Sequence, residues 1–208
     1  MRTRIKVCGL TNADDAAYAA RLGADAIGLV FYPPSPRNID ILTAQDIVRV
    51  LPAFVTVVAL FVNEQENTIR RILDQVPIDC LQFHGDESPS ACQQFGKRYI
   101  KAVRMRDDTD IGALTEQYQG ADALLMDAYD PVQQGGTGGR FDWKLVPKVN
   151  SLPIILAGGL DANNVGLAIK QTRPYAVDVS SGVEINKGIK DKTKIAAFIA
   201  AVEHGNRS

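Results

Sequence analysis

Reactive side chains stand where short apolar runs end. Cys8 closes the run in IKVCGLT, His84 in LQFHGDE, Asp127 in ALLMDAY and Ser180 in AVDVSSGVE. An ionised thiol is a nucleophile or a base; otherwise Cys8 is one more small buried hydrophobe. Asp127 either exchanges protons or caps the loop that follows it. His84 is a substrate contact or a hydrogen-bonded core histidine. Asp178 sits deeper in its run, as Lys6 does in the first, and Lys6 is its obvious partner for an ion pair. Gly9, next to Cys8, is expected to open space beside the thiol.

Glycines form a second group. QQGGTGGRFDW, LAGGL and VSSGVE hold Gly136, Gly138, Gly158, Gly159 and Gly182, with Ser181 able to add a hydroxyl. Bare N–H groups converging from three turns bind a phosphate. The plainer alternative is three tight turns that need positive φ; three in succession favour phosphate. Arg37 is the one charge in FYPPSPRNI. On a proline-stiffened loop it is either suited to gripping a carboxylate or a solvated surface residue.

These groups need a scaffold. Strands are expected near residues 5–8, 26–31, 55–62, 80–84, 99–105, 123–127, 153–157 and 176–180. Continuous runs such as TVVALFV suit parallel strands buried on both faces. Helical patterns lie between them. TNADDAAYAARLG runs from cap residues to Gly23, and NEQENTIRRILDQV is read as starting at Asn63. DANNVGLAIKQTRP is read as starting at Asp161, and DKTKIAAFIAAVEHG runs to Gly205. FDWKLVPKVN has room for a short helix only. Eight such units in 208 residues predict one domain, a closed (β/α)8 barrel spanning 1–208. An open doubly wound sheet is the runner-up, but no G-x-G-x-x-G follows the first strand.

Alternation then sorts the strands by face. Lys6 with Cys8, Gln82 with His84, Leu125 with Asp127 and Asp178 with Ser180 point into the barrel. Ile5, Val7, Leu81, Phe83, Leu124, Met126, Val177 and Val179 point toward the helices. Polar groups gathered inside a barrel are costly unless they act or satisfy one another.

Bulk properties exclude other classes. Hydrophobic residues are 46%, charged residues 23% and the net charge is -1, so no global field points to nucleic acid or acidic lipid. No apolar run is long enough to span a bilayer, and MRTRIKVCGL lacks the apolar stretch of a signal peptide. Three cysteines without C-x-x-C spacing and two distant histidines predict reduced thiols in a cytoplasmic protein, with no metal site.

Together KVCGLT, SPRNI, LQFHGDE, LLMDAY, GGTGGRFDW, LAGGL and DVSSGVE resemble the phosphoribosylanthranilate isomerase family, in order and over nearly the whole chain. The resemblance implies a (β/α)8 barrel that converts N-(5-phosphoribosyl)anthranilate to 1-(2-carboxyphenylamino)-1-deoxyribulose 5-phosphate in tryptophan biosynthesis. This is an Amadori rearrangement needing no cofactor or metal. It implies Cys8 as general base, Asp127 as general acid and Arg37 as partner of the anthranilate carboxylate. Lys6 would favour the thiolate, and Asp127 must hold a proton when the ring opens. A monomer or a homodimer is expected, with no nucleic-acid or membrane partner. The histidine-pathway Amadori isomerase would show a half-barrel repeat and an Asp at position 8. Indoleglycerol-phosphate synthase would need added N-terminal sequence and a lysine at another depth. A non-catalytic barrel that binds phosphosugars is the alternative of a different class.

Overall fold

Eight parallel strands close on themselves in chain order: β1 (Arg4–Cys8), β2 (Ala26–Val30), β3 (Thr56–Phe61), β4 (Cys80–Phe83), β5 (Arg98–Met105), β6 (Ala123–Ala128), β7 (Ile154–Leu156) and β8 (Ala176–Val179). The computed structural model describes residues 2–128, 142–148 and 150–207. Around the barrel lie α1 (Ala13–Arg21), α2 (Ile41–Arg49), α3 (Glu66–Gln75), α4 (Pro89–Gln93), α5 (Ile111–Gln117), α6 (Val165–Thr172) and α7 (Lys192–Arg207). A single 3-10 turn, Trp143–Leu145, stands in FDWKLVPKVN, in keeping with the short helix expected there. The closed barrel excludes the open sheet.

The two faces follow the alternation rule. Ile5, Val7, Leu81, Phe83, Leu124, Met126, Val177 and Val179 all join the outer core between strands and helices. A second core, Val58, Cys80, Ile100, Ala102, Ala123, Leu125, Ile155, Ala157 and Ala176, fills the barrel interior. Each large aliphatic side chain buried this way contributes about 1.5–3 kcal/mol. Above that plug the cavity at the strand ends mixes the polar Gln82, His84, Asp127 and Asp178 with the apolar Val30, Leu60 and Val62.

Local chemistry sets the helix starts. Asn12, Asp40, Ser88 and Asp110 each accept a hydrogen bond from an N–H in the first turn of α1, α2, α4 and α5, the usual N-cap arrangement. Two starts differ from expectation. α3 begins at Glu66, because Asn63 takes φ 48° and its side chain turns away to accept from the Asp86 N–H at 2.7 Å. α6 begins at Val165, because Asp161 folds an extra turn by accepting from the Asn163 and Asn164 N–H groups at 2.8 and 3.1 Å. After β8 the chain also makes an unexpected hairpin, β9 (Glu184–Asn186) with β10 (Ile189–Lys190).

Candidate active site

The C-terminal strand ends surround one cavity. Its lining includes Cys8, Arg37, His84, Asp127, Gly158, Gly159, Asp178, Ser180 and Ser181, so nine of the residues singled out by sequence meet in one place. Gly182 is not in the lining. Gly136 and Gly138 fall outside the described residues.

β1 and β8 pair Lys6 with Asp178 in register. Lys6 Nζ donates to Asp178 Oδ1 at 2.9 Å, and both side chains are buried. Asp178 therefore has the structural partner expected of it, while also facing the cavity. Burial alone would lower Lys6, but Asp178 and the Cys8 sulfur outweigh it and hold the ammonium above its ordinary value.

Cys8 is 4% exposed, and its apolar neighbours at the cavity wall are Val30, Leu60, Val62 and Tyr32. The expectation that Lys6 favours the thiolate holds only for direction. Burial pushes the thiol up; Lys6 and Lys190 pull it down and Asp178 opposes them, and the net result lies above the ordinary value. Desolvation dominates because the sulfur has almost no water contact. Cys80 and Cys92, buried elsewhere, are pushed up to about 12 by burial.

The glycine that makes room for the thiol is Gly28, not Gly9. Gly28 is the register partner of Cys8 on β2, and a β-carbon there would stand 2.6 Å from the sulfur. Gly9, at φ +74°, instead admits Arg37, whose Cδ would lie 2.5 Å from a β-carbon at that position.

Across the cavity, β6 is three strands from β1 by way of β7 and β8. Its Asp127 is 7% exposed, and Oδ1 accepts from the Ala128 N–H at 2.9 Å. His84 Nε2 lies 3.2 Å from Asp127 Oδ2, but the geometry is too poor for a hydrogen bond. The other ring nitrogen sits 3.0 Å from Gln82 Nε2. His84 is thus both a hydrogen-bonded histidine and a cavity-lining one.

The turns after β7 and β8 stack on each other. Gly158 and Gly159 take φ 80° and 60°, left-handed values that glycine adopts without strain. Asn164 Nδ2 donates to the Gly159 carbonyl at 2.9 Å and steadies that turn. Gly182 packs against the Leu160 backbone, where a β-carbon would overlap the carbonyl oxygen.

Arg37 is 5% exposed and is not a solvated surface residue. Its Nε and Nη2 donate to Glu184 Oε1 and Oε2 at 2.7 and 2.8 Å, a forked ion pair. Glu184 also accepts from Lys190 Nζ at 2.8 Å. Burial raises Glu184, but the Arg37 hydrogen bond and the Lys190 ammonium prevail and keep it below the usual carboxylate range. Burial draws Lys190 down, against the pull of Glu184. Sequence reading passed over Glu184, Lys190, Asn164 and Gln82 as site residues. The available signal was Glu184 itself, a charge two residues past the SSG turn.

A family model described as N-(5'phosphoribosyl)anthranilate (PRA) isomerase matches residues 5–201. A protein of Nitrosococcus oceani named N-(5'-phosphoribosyl)anthranilate isomerase is 56% identical over 206 residues, covering 99% of this chain and 100% of that one. The crystal structure of phosphoribosyl anthranilate isomerase from Thermotoga maritima superposes with TM-score 0.89 at 38% identity, covering 97% and 99% of the two chains. A crystal structure of such an enzyme in complex with reduced 1-(o-carboxyphenylamino)-1-deoxyribulose 5-phosphate gives TM-score 0.86 at 36% identity, with the same coverage.

Proposed function

Since the chain belongs to the N-(5'-phosphoribosyl)anthranilate isomerase family and is an isomerase of tryptophan biosynthesis, we propose that Cys8 is the general base and Asp127 the general acid of its rearrangement. One observation carries this reading. The thiol and the carboxyl enter a single cavity from well-separated strands, with glycine turns at one side and a buried arginine on the loop after β2.

The reaction asks for that layout. Asp127 donates a proton to the furanose ring oxygen, and the C1′–O bond breaks to give the protonated Schiff base. The Cys8 thiolate removes the proton from C2′, and the electron pair moves toward nitrogen to give the enolamine. Tautomerisation then protonates C1′ while the C2′ hydroxyl loses its proton, leaving the ketone. No electrons leave the molecule, so no redox partner is required. Acid and base act on different atoms in turn, which suits groups on separated strands. The turns after β7 and β8, including Gly158, Gly159 and Ser181, would hold the phosphate, the usual site in this fold. Arg37 would attract the anthranilate carboxylate. Fixing both ends turns the encounter into an intramolecular step. Every residue named comes from one chain, so a monomer or a homodimer would serve, and a phosphorylated small molecule is the partner.

The test is Cys8→Ala, followed by the fluorescence decay of phosphoribosylanthranilate. Turnover should fall by orders of magnitude while product affinity stays near wild type. A Cys8→Ala protein with wild-type turnover refutes the assignment and favours a base elsewhere in the cavity.

A further inference from the structure

The hairpin after β8 delivers two buried charges to the edge of the cavity. Lys190 pairs with Glu184 in register, and its side chain is fully buried. The ammonium donates to Glu184 Oε1 at 2.8 Å, the Ser180 carbonyl at 3.0 Å and Ser180 Oγ at 3.3 Å. Lys194 Nζ donates to the Glu184 carbonyl at 2.7 Å. The hairpin tip touches the loop that carries Arg37: a β-carbon at Gly188 would stand 2.5 Å from the Pro36 carbonyl oxygen. Thr11 Oγ1 donates to the Gly188 carbonyl at 3.0 Å. The hairpin is therefore anchored from both sides.

A staple for this loop would need one cation on Glu184. Here Glu184 carries two, and one of them, Arg37, lines the cavity. The fork from Nε and Nη2 fixes the plane of the guanidinium, which is useful for recognising a second carboxylate. The same Glu184 charge, taken alone, cancels the attraction of Arg37 and repels that carboxylate. Lys190 removes the conflict. The three side chains together carry one positive charge, so orientation is gained without loss of attraction. Lys190 cannot touch substrate itself, because none of its side chain is exposed.

We infer that Lys190 is a positioning residue for substrate-carboxylate recognition: it offsets the charge of Glu184, so that Glu184 orients Arg37 without neutralising it. The inference rests on the reading of Arg37 as the residue that meets the carboxylate.

The experiment compares two ligands by calorimetry or fluorescence titration. One is reduced 1-(o-carboxyphenylamino)-1-deoxyribulose 5-phosphate; the other is the same phosphorylated amine without the ring carboxylate. The ratio of their affinities isolates the carboxylate, because defects in folding or phosphate binding fall on both ligands. A charge-assisted contact makes that ratio roughly ten- to a hundredfold in wild type. Arg37→Ala should bring it close to one. Lys190→Met should lower it severalfold, seen in kinetics as a raised KM with a smaller change in kcat. Lys190→Arg should retain most of it. The double variant Lys190→Met with Glu184→Gln should recover it, since the charge that Lys190 offsets is gone. A purely structural role predicts no such recovery. If Lys190→Met does not fold, Lys190→Gln, which can still donate to the Ser180 carbonyl, takes its place. An unchanged ratio in the folded Lys190 variant, or a double variant no better than the single, overturns the inference. An unchanged ratio in Arg37→Ala overturns instead the reading of Arg37, and the inference with it.

Discussion

Replacing Gly182 with alanine tests whether the turn after β8 is placed for phosphate. A β-carbon there would overlap the Leu160 carbonyl oxygen, lie 3.0 Å from its carbonyl carbon and 3.3 Å from the Asp161 Cα. All three neighbours are backbone, so no side chain can rotate away. Ordinary contact requires the turns after β7 and β8 to part by roughly 1.5 Å. Overpacking of this kind costs about 1–3 kcal/mol, which a barrel of this size can absorb. Function should suffer more, since a misplacement of about 1 Å can cost on the order of a hundredfold. The expected result is a folded protein whose affinity for inorganic phosphate, read from thermal-shift titration, falls at least about tenfold, with a parallel fall in kcat/KM. Gly96→Ala is the control. Gly96 has φ +62° and open space around it, so alanine there carries only the left-handed cost of about 1–2 kcal/mol and should leave phosphate binding alone. If Gly182→Ala is folded and binds phosphate as wild type does, these turns are not the phosphate site.

Three further outcomes follow from the geometry. Asp127→Asn keeps an oxygen for the Ala128 N–H but has no proton to give, so kcat should drop about 10²–10⁴-fold with little change in urea midpoint. A variant that loses stability but keeps specific activity would make Asp127 structural. Because the thiol lies above its ordinary value and the proposed base is its thiolate, activity should climb with pH and not level off below about 8.5; a plateau already at neutral pH would contradict it. Asp178→Asn leaves Lys6 buried without its carboxylate, and denaturant unfolding should show a loss of about 3–5 kcal/mol. A loss under about 1 kcal/mol would mean that Lys6 finds water or another partner.

The strands were legible because a parallel barrel buries both faces, so each one reads as an apolar run. The face assignment was legible for the same reason: one residue of slip would have put Val7 inside and Cys8 among the helices. Helices α2, α4 and α5 were not read individually; in α4 and α5, five and seven residues are too few for a helical period to emerge, whereas α2 has nine. The hairpin strands of three and two residues give no pattern at all. Gly9 was assigned to the thiol because it is adjacent in sequence, whereas the residue beside the sulfur is set by the register of β1 on β2. The pairing of Arg37 with Glu184 spans 147 positions, and no local signal encodes it.

The seam between β1 and β8 also fixes when this protein can begin to work. Lys6 and its carboxylate lie 172 positions apart, so a ribosome adding about 5–20 residues each second makes the second roughly ten to thirty seconds after the first. Until then the nascent chain has an unpaired Lys6 and a Cys8 outside any pocket, with the ordinary acidity of a free thiol near 8.5. That is the interval in which oxidants reach the sulfur most readily. Closing the seam buries the thiol and completes the cavity in one event. A truncated chain that stops before β8 should therefore be inactive and easily alkylated at Cys8, whereas in the finished chain the closed barrel shields the sulfur.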